Sequence, residues 1–126
     1  MDKKLKLLII DDNHEMLAAL YNFFSKKNYD VVTTPDSLHA LKLIEAEKQE
    51  FDLVITDLVM PNISGVGIIS IIKKKNPGIP VIAITGWGEH PEALATEAKA
   101  DLVLEKPFRL PELDKLINDL LSPKKH

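Results

Sequence analysis

Five side chains in this sequence are of types that act together on phosphoryl groups: Asp11, Asp12, Asp57, Thr85 and Lys106. Three carboxylates held close repel one another, so either one takes up a proton or a cation joins them. Oxygen donors without His or Cys favour a hard divalent ion, Mg²⁺ where phosphate is handled. Three aspartates at −3, set against Mg²⁺ and Lys106 at +3, make a site near neutrality. An aspartate can attack phosphorus to give an acyl phosphate. The cation and Lys106 would then neutralise phosphoryl oxygens while the Thr85 hydroxyl donates to another. After transfer Asp57 would carry about −2 in place of −1, a local charge change able to pull a hydroxyl or an amide toward the new oxygens. Singly, each residue has a blander account. Asp12, with Glu15 three positions on, reads as a helix cap; Asp57 reads as a turn residue, Thr85 as a loop cap and Lys106 as a surface lysine. The set carries the argument, provided the fold brings it together.

The elements that must do so are legible as apolar runs at residues 5–10, 31–32, 53–55, 81–84 and 102–104. Most lack alternation, which suits strands buried on both faces of a parallel sheet. Helical spacing fills the gaps. Leu17, Leu20 and Phe24 form one stripe. Leu38, Leu41 and Ile44 form a second, after the capping pair Asp36-Ser37, and Val66, Ile69 and Ile72 a third. The third helix runs out in Lys73-Lys74-Lys75 before Pro77, which reads as a solvated helix end. Pro91 opens an Ala-rich helix to residue 99, and Pro111 opens the last, with Leu113, Leu116, Ile117 and Leu120 inward. The order is strand then helix, five times over: an α/β, doubly wound, five-stranded parallel sheet with five helices, one domain over residues 1–126. In such sheets ligands bind beyond the carboxyl ends of the strands. The first strand ends in Asp11-Asp12, the third in Thr56-Asp57, the fourth in Thr85-Gly86, the fifth in Glu105-Lys106-Pro107. With strand order 2-1-3-4-5, Asp11/Asp12 and Asp57 stand on neighbouring strands at the switch point.

Composition sets outer bounds. The 126 residues include no cysteine, so disulfides, thiolate metal sites and a cysteine nucleophile are excluded. Sixteen Lys+Arg against nineteen Asp+Glu give a net charge of −3, which is no footprint for nucleic acid. No apolar run nears the ~20 residues of a membrane span, and the short run after Lys3-Lys4 is no secretory signal. The expectation is a cytoplasmic protein with no direct nucleic-acid or membrane partner. His14, His39, His90 and His126 are scattered and are assigned to the surface.

The chain resembles the receiver domain of two-component response regulators, a flavodoxin-like fold of which the chemotaxis response regulator is the single-domain example. The resemblance spans residues 5–121. It rests on Leu8-Ile9-Ile10-Asp11-Asp12-Asn13, on Asp52-Leu53-Val54-Ile55-Thr56-Asp57-Leu58-Val59-Met60-Pro61 with Gly65, on Ile84-Thr85-Gly86, and on Lys106-Pro107-Phe108. It implies that Asp57 is the phospho-acceptor. It implies that Asp11, Asp12, Asp57 and the main-chain carbonyl of Val59 hold Mg²⁺, and that Thr85 and Lys106 contact the phosphoryl group. It further implies a cis Lys106–Pro107 bond. The donor would be a sensor histidine kinase, a phosphotransfer protein or a small phosphodonor. The output would go to a protein target through the face of the 91–99 helix, the fifth strand and the last helix. Such a domain is a switch and not an enzyme beyond its own slow phosphorylation and dephosphorylation. The chain departs from the pattern in two places. Val103 stands where the family has an aromatic that turns inward as the threonine moves, and Lys99-Ala100 replaces a small pair. Trp87 reads either as packing at a loop base or as a partial lid. Trp87 and Val59 occupy positions that, by the resemblance, tune phosphoryl lifetime; both are bulky and apolar, which leans toward a long-lived state.

Two other classes compete. Haloacid dehalogenase-like phosphatases need Asp-x-Asp, but the residue two positions after Asp11 is Asn13 and two positions after Asp57 is Val59. Loss of Asp57, Lys106 or the acidic pair would signal a phosphorylation-independent binding module, and all are present; the missing aromatic at Val103 is the one feature that keeps that alternative open.

Overall fold

Buried apolar runs and capped amphipathic stripes resolve into nine elements in the computed structural model, which describes residues 4–46, 50–58, 65–86 and 100–122. They are β1 (Lys6–Ile10), α1 (His14–Ser25), β2 (Asp30–Thr34), α2 (Ser37–Glu45), β3 (Leu53–Asp57), α3 (Gly65–Lys75), β4 (Val81–Thr85), β5 (Leu102–Glu105) and α4 (Leu110–Leu121). The strands form one parallel sheet in the order β2-β1-β3-β4-β5, as expected. Four helices are described; the expected helix over residues 91–99 lies outside the described residues.

The central strands carry unbroken apolar runs because both of their faces are covered. Leu7, Ile9, Leu53, Ile55, Ile82 and Ile84 pack with Leu17, Leu20 and Phe24 of α1 and with Leu113 and Ile117 of α4. Leu8, Ile10, Val54, Val81 and Ala83 face the other way, onto Ala40 of α2 and Ile68, Ile69 and Ile72 of α3. Successive strand residues alternate between faces, so each run feeds two cores. Each fully buried Leu or Ile contributes roughly 1.5–3 kcal/mol. The edge strand β2 is longer than its Val31-Val32 run, five residues from Asp30 to Thr34, because an edge strand needs less apolar surface.

Local details correct several expectations. The cap of α1 is Asn13, whose Oδ1 accepts from the Met16 N–H at 2.9 Å; Asp12 plays no part in it. Asp36 caps α2 through the Leu38 N–H at 2.9 Å. Leu41 and Ile44 of α2 pack inward as expected, with the fully buried Ala40 beside them, but Leu38 is 49% exposed and stands outside the stripe. The final helix begins at Leu110, with Pro111 inside its first turn. Lys73 is not part of a solvated end: its Nζ donates to Ile79 O at 2.8 Å and meets Asp101 Oδ2 at 2.7 Å, tying α3 to the approach to β5. Among the described residues no helix is long and apolar enough to cross a membrane.

Candidate functional site

Register places the polar residues. Ile10 of β1 pairs with Thr56 of β3, so Asp11 and Asp57 emerge side by side as β1 ends. Asp57 pairs with Ile84, and Thr85 with Glu105, which sets Thr85 and Lys106 on the next two strands. The Lys106 N–H donates to Thr85 O at 2.8 Å. The Lys106–Pro107 bond is cis, as the resemblance implied.

The site is largely buried. Asp11 is fully buried and Asp57 only 7% exposed, while Asp12 faces solvent. One carboxylate oxygen from each of the three lies within 4.8 Å of the other two. Asp11 Oδ1 accepts the Asn13 N–H at 2.9 Å. Among the described residues its Oδ2 makes no well-formed hydrogen bond and meets the Lys106 Nζ as an ion pair at 3.2 Å. The same Nζ lies 3.4 Å from Asp57 Oδ2. Burial is the largest single influence on the Lys106 ammonium and works to lower its pKa. Asp11 and Asp57, by charge and by hydrogen bonding, together outweigh it and hold the pKa above its ordinary value. Lys106 is therefore a cation against these carboxylates at neutral pH. The Thr85 hydroxyl is buried and has no partner among the described residues.

A hard divalent cation fits this donor set. The three carboxylates and one ammonium leave a charge of about −2 at a largely buried site, and oxygen donors in this arrangement suit a divalent cation that would neutralise it. The acidic cluster can hold a metal through Asp11, Asp12 and Asp57.

The structure thus brings together Asp11, Asp12, Asp57, Thr85 and Lys106. Val103 sits on β5 with 38% exposure, on the edge of the sheet. Val59 and Trp87 lie outside the described residues, as do Lys99, His90 and His126. His14 and His39 are exposed, as expected, although His39 Nδ1 is 3.0 Å from Thr34 Oγ1. Sequence reasoning missed three contributors. Asn13 holds Asp11 and caps α1. Thr56, fully buried, donates its hydroxyl to Asp57 O at 3.0 Å. Gly65 packs so closely that a Cβ there would fall 2.0 Å from the same oxygen. The available signal was a hydroxyl residue, Thr56, inside a run buried on both faces.

Known proteins place the same site in context. The family model described as response regulator receiver domain matches residues 7–118. The transcriptional regulatory protein GlrR of Escherichia coli is 35% identical over 121 residues, covering 95% of this chain and 27% of that protein. The response regulator SaeR of Staphylococcus aureus is 32% identical over 117 residues, covering 92% of this chain and 50% of that protein. The chain therefore spans between about a quarter and half the length of these curated relatives. A receiver domain protein of Clostridium thermocellum superposes with a TM-score of 0.86 at 32% identity, covering 94% of each chain. A CheY-like receiver of Methanospirillum hungatei gives 0.83 at 25% identity, again over 94% of each. With the sheet order, the acidic cluster and the lysine in place, the chain belongs to the response regulator receiver domain family, whose members are switches in phosphorylation-dependent two-component signalling.

Proposed function

We propose that this domain is switched by phosphorylation of Asp57, with Asp11 and Asp12 holding Mg²⁺ beside it. The observation that carries the reading is the meeting of three carboxylates and the Lys106 ammonium at the carboxyl edge of the sheet. An Asp57 carboxylate oxygen attacks phosphorus and an O–P bond forms. The bond from phosphorus to the donor breaks, and its electron pair leaves with the imidazole of a phosphohistidine or with acetate from acetyl phosphate. Bound Mg²⁺ supplies Lewis-acid neutralisation of the phosphoryl oxygens. Lys106 neutralises a further oxygen, and the Thr85 hydroxyl, without a partner among the described residues, donates to another. Water later attacks phosphorus, the bond from Asp57 oxygen to phosphorus breaks, and inorganic phosphate leaves as the carboxylate is regenerated. A role for the Val59 carbonyl as a metal ligand, and for Val59 and Trp87 in lengthening the phosphorylated lifetime, rests on the family resemblance alone.

The donor is a histidine kinase or a phosphotransfer protein, and the output is a protein met by the face that residues 91–99, β5 and α4 form in the family. The Thr85–Lys106 backbone bond ties the site to β5, so a shift at Thr85 reaches that strand without an aromatic at Val103. Incubation with Mg²⁺ and acetyl phosphate should add the mass of one phosphoryl group and change the fluorescence of Trp87. The Asp57→Asn variant should show neither. Absence of the mass gain in the unaltered protein, across donors and Mg²⁺ concentrations, overturns the reading.

A further inference from the structure

The main-chain carbonyl of Asp57 is closely confined, by a side-chain donor from its own strand and by the backbone of α3. From its own strand, the fully buried Thr56 donates its hydroxyl to that oxygen at 3.0 Å. From the start of α3, Gly65 packs directly against it. A Cβ on Gly65 would lie 2.0 Å from Asp57 O, 2.6 Å from Leu58 Cα and 2.8 Å from Asp57 C, all backbone atoms that cannot swing aside. The Gly65 N–H in turn donates to Leu58 O at 3.0 Å. Meanwhile the Leu58 N–H donates to Ile84 O at 2.9 Å, so the peptide after the aspartate is pinned on both sides.

Thr56 is the anomaly in this arrangement. It lies in a strand whose every residue is buried, where packing alone calls for an apolar side chain. A buried hydroxyl must find a partner, and a valine of the same shape would carry no such demand. The partner it has is the carbonyl of the residue that carries the reactive carboxylate.

We propose that Thr56 is a positioning residue for phosphoryl acceptance: with Gly65 it seats the Asp57 carbonyl and so sets the direction of the Asp57 carboxylate toward the metal and the incoming phosphorus. A reacting oxygen displaced by about 1 Å can lose on the order of 10²-fold in rate, so a modest tilt of the Asp57 peptide is enough to matter. The proposal rests on Asp57 being the acceptor.

The test compares Thr56→Val, which removes the hydroxyl at constant shape, with the pair Thr56→Ser and Thr56→Ala. That pair shares the loss of the methyl and differs in the hydroxyl. Each variant is followed by intact mass during incubation with acetyl phosphate and Mg²⁺, by Mg²⁺ titration of Trp87 fluorescence, and by urea unfolding. Thr56→Val should phosphorylate at least tenfold more slowly and bind Mg²⁺ several-fold more weakly, with Thr56→Ser within about threefold of the parent in both. Thr56→Ala should be as slow as Thr56→Val. If Thr56→Val does not fold, the Ser–Ala difference decides. Equal rates and equal Mg²⁺ affinities for the folded hydroxyl-bearing and hydroxyl-free variants overturn the proposal, whatever their unfolding midpoints. If the unaltered protein binds Mg²⁺ but never gains a phosphoryl group, the acceptor reading fails by itself. The Mg²⁺ affinities of the Thr56 variants then still show whether the hydroxyl orients the carboxylate.

Discussion

Asp11 uses its two carboxylate oxygens differently, and the difference explains the rest of the site. Oδ1 is occupied by the Asn13 N–H, which fixes the side chain; Oδ2 is turned toward the Lys106 ammonium at 3.2 Å. Asp12 is exposed and caps nothing, so its removal should cost the fold little. Asp12→Ala is expected to leave the urea midpoint in chelator unchanged, within ~0.5 kcal/mol, while weakening Mg²⁺ binding at least tenfold. A Mg²⁺ titration followed by Trp87 fluorescence reads this, and an unchanged affinity would remove Asp12 from the metal set. Lys106 is the ammonium that meets both Asp11 and Asp57. Lys106→Met should slow phosphorylation by acetyl phosphate about 10²-fold, the usual cost of losing one preorganised charge at a transition state. A rate within a factor of three of the parent would show that the lysine serves structure alone.

At the scale of elements, the helices hold the site from their first turns. Asn13 caps α1 through Met16 and presents its own N–H to Asp11, so the helix start and the ligand are one construction. Asn13→Ala keeps the backbone donor and removes the cap, and should lower stability by about 1 kcal/mol. Urea unfolding checks it; a loss below ~0.3 kcal/mol would mean that water replaces the cap fully. Gly65 lets α3 begin against the backbone of β3, closer than any side chain permits. Gly65→Ala gains helix propensity, worth about 1 kcal/mol on propensity alone, yet should destabilise, because the Asp57 and Leu58 backbone must move to admit the Cβ. A stabilised variant would contradict the close approach. At its other end α3 is held by Lys73, which satisfies Ile79 O and pairs with Asp101, itself the acceptor for the Val81 N–H.

For the molecule as a whole, pH adds a test that is separate from phosphorylation. Burial first, and the charge of Asp114 second, hold the Tyr29 phenol above its ordinary pKa. Its hydroxyl donates to Asn118 Oδ1 at 3.3 Å, joining the turn after α1 to α4. The Lys106 ammonium is likewise raised by its carboxylates despite burial. A group whose pKa is raised by folding contributes stability that is complete below its unfolded value and is lost as pH rises through its folded value. Both groups therefore predict an alkaline loss that begins near the unfolded phenol and ammonium values of ~10 to ~10.4. The urea midpoint should be lower at pH 11 than at pH 8, and Tyr29→Phe should show a smaller drop. A midpoint that stays level or rises would contradict both assignments.

Much of this was legible in the residues themselves. Apolar runs without alternation demand strands covered on both faces, and their alternation with helical stripes leaves a doubly wound parallel sheet as the consistent solution. That architecture places Asp11, Asp57, Thr85 and Lys106 on one rim, because each follows a strand that runs the same way. What the sequence could not state was which of two adjacent polar residues does which task. Asp12 and Asn13 are both good caps, and only the turn geometry made Asn13 the cap and freed Asp12 for the cluster. Lys73 belongs to a run of three lysines that composition cannot tell apart; the position of Asp101 across the sheet selected it. Thr56 and Gly65 acquire their meaning from a contact between the end of β3 and the start of α3. Period and charge are properties of the chain and survive in its sequence. Distances between residues far apart along it are set by packing, and only the tertiary structure decides them.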